Sequence, residues 1–206
     1  MRRQRQGTQG HGPGQGKNRS RGGRLRLIGG RFRRRLLPVL DHPGLRPTPD
    51  RVRETLFNWL ATEIDSTTRV LDLFAGTGAL GLEALSRGAG EVHLVEADRQ
   101  VARQISQNLA TLEVTMPVHH QSADAFLDTR PVQPFHLVFL DPPFRQNLIV
   151  DCCQRLEQEG WLAENALIHV ESEADLIPRL PGSWRLIRET RAGDSHTRLY
   201  RRESTQ

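Results

Sequence analysis

The residues best placed to do chemistry lie where an apolar run meets two prolines: His136-Leu137-Val138-Phe139-Leu140-Asp141-Pro142-Pro143-Phe144. Proline fixes φ and has no N–H. The turn is therefore stiff and offers the Asp141 carboxylate and the Pro142 carbonyl as paired acceptors. Paired acceptors suit an –NH2 group, and Phe144 is placed to stack on a planar ring. The lone pair of an exocyclic amine is delocalised into its base. Two hydrogen bonds draw the nitrogen toward tetrahedral geometry and free that pair to attack an electrophile held in line, with proximity supplying much of the rate. A strand-end turn without any chemical role has the same local composition. What tells against that reading is a second motif upstream.

That motif is Val70-Leu71-Asp72-Leu73-Phe74-Ala75-Gly76-Thr77-Gly78-Ala79-Leu80-Gly81. A strand ends, a Gly-x-Gly turn follows and a helix begins, so the backbone can approach a ligand closely. The next strand ends in Glu96, eighteen residues after Gly78, where a carboxylate accepts from both ribose hydroxyls of an adenosine. Gly76-x-Gly78-x-x-Gly81 formally matches the dinucleotide fingerprint, which holds a pyrophosphate at a helix N-terminus. S-adenosylmethionine uses the same place in this kind of fold but presents an amino group and a sulfonium. An acid beside a pyrophosphate is repulsive, so Asp72 favours S-adenosylmethionine over NAD. Asp124, in Ser122-Ala123-Asp124-Ala125-Phe126, follows the third strand, where a carboxylate meets the adenine amine. An Asp there could equally cap the next helix.

The elements that must position these groups alternate. Short apolar strands are expected at Arg69–Leu73, Glu91–Val95, Val118–Gln121, Phe135–Leu140 and Ala166–Val170. Helices are expected at Ala79–Arg87, Arg99–Leu109 and Asp151–Gln158. Such alternation argues for a parallel sheet covered on both faces. Trp184–Thr190 and Thr197–Arg201, joined through Ala192-Gly193-Asp194, read as an antiparallel hairpin closing the sheet. Before the first strand, Arg24–Ile28 alternates, Gly29-Gly30 can turn and Arg31–Leu40 extends again, which reads as a basic hairpin. In Arg46-Pro47-Thr48-Pro49-Asp50, Thr48 serves as N-cap of a helix whose Val52, Leu56 and Leu60 share a face.

Charge is divided along the chain. Residues 1–40 hold eleven Arg, Lys17 and no acid, +12, whereas residues 41–206 carry −7. Residues 1–23 include seven Gly and no large apolar side chain after Met1. They cannot bury enough surface to offset ordering entropy and are expected to be a disordered basic tail. Clustered Arg beside an acidic body is the footprint of nucleic-acid binding, though a charge run also serves simply as a solubilising tail. No apolar run approaches the ~20 residues of a membrane span, and no secretory signal follows the basic start. Cys152 and Cys153 are adjacent, which argues against a disulfide framework or a cysteine zinc site, and no metal is expected. A cysteine nucleophile for carbon-5 pyrimidine methylation is the alternative to two core thiols. His119-His120 reads as structural or surface. These features point to a cytoplasmic protein.

Four stretches, Arg46–Asn58, Asp72–Leu85, Val95–Asp98 and Asp141–Phe144, resemble the bacterial 16S ribosomal RNA guanine-N2 methyltransferases of the RsmD type. The similarity runs from about Arg24 to Arg201. The resemblance implies an α/β, Rossmann-like class I methyltransferase fold: a mostly parallel seven-stranded sheet with an antiparallel last strand. It divides the chain into a tail (1–23), a hairpin-and-helix extension (24–60) and a methyltransferase domain (61–206). It implies S-adenosylmethionine held by Asp72, Phe74, Ala75, Gly76, Thr77, Gly78, Glu96, Ala97, Asp124 and Ala125. The methyl would pass to N2 of one guanine at Asp141, Pro142, Pro143 and Phe144, with Arg46, Thr48 and Arg51 on the RNA. The partner implied is 16S rRNA in the 30S subunit or a late assembly intermediate, met by a monomer. The rivals are an adenine-N6 methyltransferase, whose target is also an exocyclic amine, a non-catalytic ribosome-assembly or RNA-binding factor, and, more distantly, an NAD-linked oxidoreductase. The tail is longer and more basic than the family's pattern.

Overall fold

Alternation of exposed and buried positions makes the first pair of strands: β1 (Arg24–Arg26) and β2 (Leu36–Pro38) pair antiparallel, with Leu25 opposite Leu37. The computed structural model describes residues 23–43, 45, 48–143 and 148–203. The expected tail, Gly23 apart, therefore lies outside the described residues, as do Arg46 and Phe144. After the hairpin come α1 (Asp50–Trp59), β3 (Arg69–Asp72), α2 (Ala79–Ser86), β4 (Glu91–Glu96), α3 (Arg99–Thr111) and β5 (Val118–His120). Then follow α4 (Ala123–Leu127), β6 (Phe135–Leu140), α5 (Leu148–Gln158), β7 (Leu162–Glu173), β8 (Trp184–Ala192) and β9 (Ser195–Arg202).

β3 to β9 form one sheet in the order β5-β4-β3-β6-β7-β9-β8. β5, β4, β3, β6 and β7 run parallel, whereas β9 is antiparallel to both β7 and β8. The class inferred from the alternation, last strand included, is the one observed. The chain winds outward from β3 in one direction, then returns to place β6 on the other side of β3. Ligands in such sheets bind at the carboxyl ends of the strands where the winding reverses, here between β3 and β6. Successive side chains of a strand face opposite ways. Val70, Leu137, Phe139 and Leu167 therefore pack on one face with Leu25, Leu27, Leu37, Leu56 and Phe57. Leu71, Val138, Leu140 and Ile168 pack on the other with Cys152 and Trp161. Each fully buried leucine of the hairpin contributes roughly 1.5–3 kcal/mol, which fastens the extension to the sheet. Among the described residues no helix is long and apolar enough to cross a membrane.

Two local expectations are corrected. Gly29-Gly30 does not make the hairpin turn, which falls at Arg31–Arg34. The doublet instead lies against the end of α2. Gly30 has φ +72°, and a Cβ there would stand 1.7 Å from the Ser86 carbonyl oxygen. The glycines serve close approach rather than reversal. Thr48 does not cap α1 either. The cap position is Pro49, without a side-chain hydrogen bond, and the Thr48 hydroxyl turns to Asp141.

Candidate functional site

The loop after β3 is held open by backbone geometry and one carboxylate. Gly76 and Gly78 have φ of +51° and +78°, a region L side chains rarely adopt. Gly81 serves packing, since a Cβ there would meet Leu94 Cδ2 at 2.8 Å. Glu96, at the end of β4, accepts the Gly76 N–H through Oε2 at 2.9 Å and the Asp98 N–H through Oε1 at 2.8 Å. Each oxygen keeps a lone pair for a further donor, so the acid expected to meet a ribose also fixes the loop beneath it. Asp98 caps α3, accepting from Gln100 and Val101. Beside the loop a small, open crevice is lined by Pro38 and Leu40 of the extension, Gly76 and Thr77, and Val101 and Ile105 of α3.

Asp72 is buried at the end of β3, with Oδ2 accepting the Gly81 N–H at 2.9 Å. Burial pushes its pKa up to about 7, with Glu96 adding to the rise. A buried anion favours a cation beside it, so this edge fits the amino group and sulfonium of S-adenosylmethionine and repels a pyrophosphate. Asp124 is exposed in the first turn of α4, and Ser122 caps that helix by accepting the Ala125 N–H. The capping alternative for Asp124 is thereby removed, and its carboxylate is available to a ligand. Phe74 is half-buried, Ala75 buried with its N–H on Val95 O, and Ala97 and Ala125 are exposed.

On the neighbouring strand, Asp141 lies just beyond β6, half-buried, followed by a buried Pro142 and an exposed Pro143. Asp72 pairs with Phe139 in the β3–β6 register, so Asp141 stands on the same face one pleat further along. Its pKa is raised well above the carboxylate range by burial and by the charges of Glu171 and Asp72, against which the Thr48 hydrogen bond works. The two motifs separated by some seventy residues thus converge on one edge.

Of the residues expected to meet RNA, Thr48 reaches Asp141, whereas Arg51 is exposed on α1. The Cys152 thiol is buried on the opposite face and its pKa is pushed up to about 12, with Cys153 also raised. Both are core thiols and neither is a nucleophile. His119 stacks on His93, and His120 is exposed. Sequence reasoning missed three features. Buried Arg53 donates to Thr48 O (3.2 Å), Arg26 O (2.9 Å) and Asp50 Oδ1 (2.5 Å). Buried Glu83 accepts from the Ile28 and Gly29 N–H groups, both at 2.8 Å, and stands 3.8 Å from Arg53. Glu171 of β7 is buried among the site carboxylates. The one charged residue in a largely apolar α2 was the available signal for Glu83.

Among known proteins, the family model "Conserved hypothetical protein 95" matches residues 25–201. The chain is 52% identical over 189 residues to "Ribosomal RNA small subunit methyltransferase D" of Escherichia coli, covering 91% of this chain and 94% of the relative. It is 47% identical to the protein of the same name from Haemophilus influenzae, over 86% and 94%. A solved Escherichia coli chain described as a methyltransferase superposes with TM-score 0.82 at 49% identity, covering 89% of this chain and all of the other.

Proposed function

The chain belongs to the family that also holds the small-subunit ribosomal RNA methyltransferases D, and from that premise we propose that it transfers a methyl group from S-adenosylmethionine to the exocyclic N2 of a guanine in 16S ribosomal RNA. The observation that carries this reading is the pairing of two acidic edges across adjacent strands. Asp72 and Glu96 suit a cationic adenosine, and Asp141-Pro142-Pro143 suits an aromatic amine one strand away.

Bound S-adenosylmethionine supplies a methyl group activated by a sulfonium. Glu96 meets the ribose, Asp72 the amino group and Asp124 the adenine, with Phe74, Ala75, Gly76, Thr77, Gly78, Ala97 and Ala125 forming the walls. On the acceptor side, the Asp141 carboxylate and the Pro142 carbonyl take the two N–H bonds of the amine and expose its lone pair. Thr48 steadies Asp141 from the extension. Asp141 holds the proton the amine gives up on becoming a secondary amine, a role its raised proton affinity suits. Base stacking is the role assigned to Phe144, which lies outside the described residues. Arg46 and Arg51 contact RNA phosphates. A guanine in a loop is unstacked at less cost than one in a duplex, and the assembled or nearly assembled 30S subunit, met by a monomer, is the substrate we favour over naked RNA.

The test is methyl transfer from radiolabelled donor to unmethylated 30S subunits, followed by digestion to nucleosides. Label in N2-methylguanosine is expected. Label in N6-methyladenosine makes the adenine rival correct, and no label leaves the RNA-binding factor. Asp141→Ala should lower the rate by at least about 100-fold while donor affinity stays within about twofold. Retained activity refutes the role given to this carboxylate.

A further inference from the structure

β7 continues past the apolar core to Glu173 and brings a second acid to the acceptor edge. Leu140 pairs with Val170 in the β6–β7 register, so the next residues, Asp141 and Glu171, stand level on adjacent strands. Both alternate with residues of one face, since Phe139 and His169 two positions earlier meet edge to face at 5.8 Å. Glu171 is 7% exposed. Ser195 Oγ donates to Oε1, and Oε2 is buried with no hydrogen-bond partner. A buried carboxylate oxygen without a donor is costly. Among the described residues no cation faces it: Asp141 and Asp72 lie on the β6 side, Thr197 faces it from β9, and His169 on its own strand is a neutral core imidazole with its pKa depressed to about 3 by burial. Among the described residues Oε2 is thus left with an open acceptor position facing the acceptor edge.

Resting on the guanine reading above, we propose that Glu171 is a specificity-determining residue whose free Oε2 accepts the N1–H of the target base while Asp141 accepts from its amine. Guanine is the one common RNA base whose exocyclic amine is flanked by a ring N–H. Adenine and cytosine flank theirs with a lone pair, which an ionised carboxylate repels. Two carboxyls side by side resist ionising together, and two donors on one edge relieve that repulsion. Those two donors stabilise the pair with both acids ionised, and in that state it selects a donor–donor edge over a donor–acceptor edge, as sites built around a substrate N–H reject analogues that lack it.

The test compares small subunits reconstituted with guanine or with 2-aminopurine at the methylated position. The analogue keeps the 2-amine but carries a lone pair at N1. The wild type should prefer guanine by at least about 100-fold in kcat/KM. In Glu171→Gln the amide accepts or donates by turning over, so the preference should shrink to within about fivefold. Losses from the missing O6 or a weaker amine fall equally on both proteins and cancel. Glu171→Asp keeps the charge but withdraws the oxygen by one methylene, and should also shrink the preference. An undiminished ratio in either folded variant, or no preference in the wild type, overturns the assignment. The wild-type comparison needs no variant to fold. Label in a nucleoside other than N2-methylguanosine overturns the guanine reading itself, whereas label in N2-methylguanosine with an unchanged ratio removes only Glu171.

Discussion

Titrating S-adenosylmethionine into the protein at a series of pH values interrogates Asp72 directly. Its carboxyl is buried, its pKa is pushed up to about 7, and the proposed partner is the ammonium of the donor. Only the ionised acid attracts that cation. The sign follows from the direction of the shift: affinity is present above the raised pKa and lost as pH falls through it. At pH 7.5 about three-quarters of the free protein carries the anion, and at pH 6 about a tenth. Affinity should fall about eightfold across that interval, or about 1.2 kcal/mol. The ligand's own amino group is half deprotonated near pH 7.7, which offsets part of the gain at pH 7.5 and trims the net fall to about fivefold. Calorimetry in two buffers of different ionisation enthalpy should also show roughly half a proton released per ligand bound at pH 7. Asp72→Asn should bind more weakly at pH 7.5 and show no slope. An affinity constant within about twofold from pH 6 to 7.5 in the wild type, with no proton released, refutes the pairing of Asp72 with the ammonium.

Two further outcomes test the extension and the tail. Glu83→Ala removes the acceptor of two hairpin N–H groups and of Arg87, and leaves buried Arg53 with Asp50 as its one acid among the described residues. It should cost roughly 3–5 kcal/mol and lower Tm by about 10 °C, and a Tm within about 2 °C of wild type refutes the anchoring role. Deleting residues 1–23 removes six cations. It should weaken binding to 30S subunits and flatten the slope of log K against log salt by up to about 5, and an identical slope shows that the tail touches no phosphate.

What was legible in the sequence is what local physics controls. The strand, glycine turn, helix and strand-end acid around Asp72 and Glu96 announce themselves because backbone conformation and burial period act over a few residues. The proline pair after Asp141 is equally local. The misreadings come from demands set at a distance. Gly29-Gly30 looks like a turn because the Ser86 carbonyl that crowds Gly30 lies on another helix. Thr48 looks like a cap because Asp141, which takes its hydroxyl, comes from another strand. Glu171 was invisible because an acid after Ala166–Val170 reads as the solvated end of a strand, whereas β7 runs on to Glu173. Arg53 sits among polar residues, and its burial is decided by three segments that close over it.

The guanidinium of Arg53 has a consequence for how such proteins diverge. It joins the first strand, the loop bearing Thr48 and the acid of α2 within one buried cluster. Recombination at the boundary near residue 60 would give a hybrid whose buried Glu83 keeps Arg87 but no longer matches Arg53 and the hairpin N–H groups that share it. Extension and body should therefore be inherited as a unit, with drift confined to the arginines on the outer side of the hairpin.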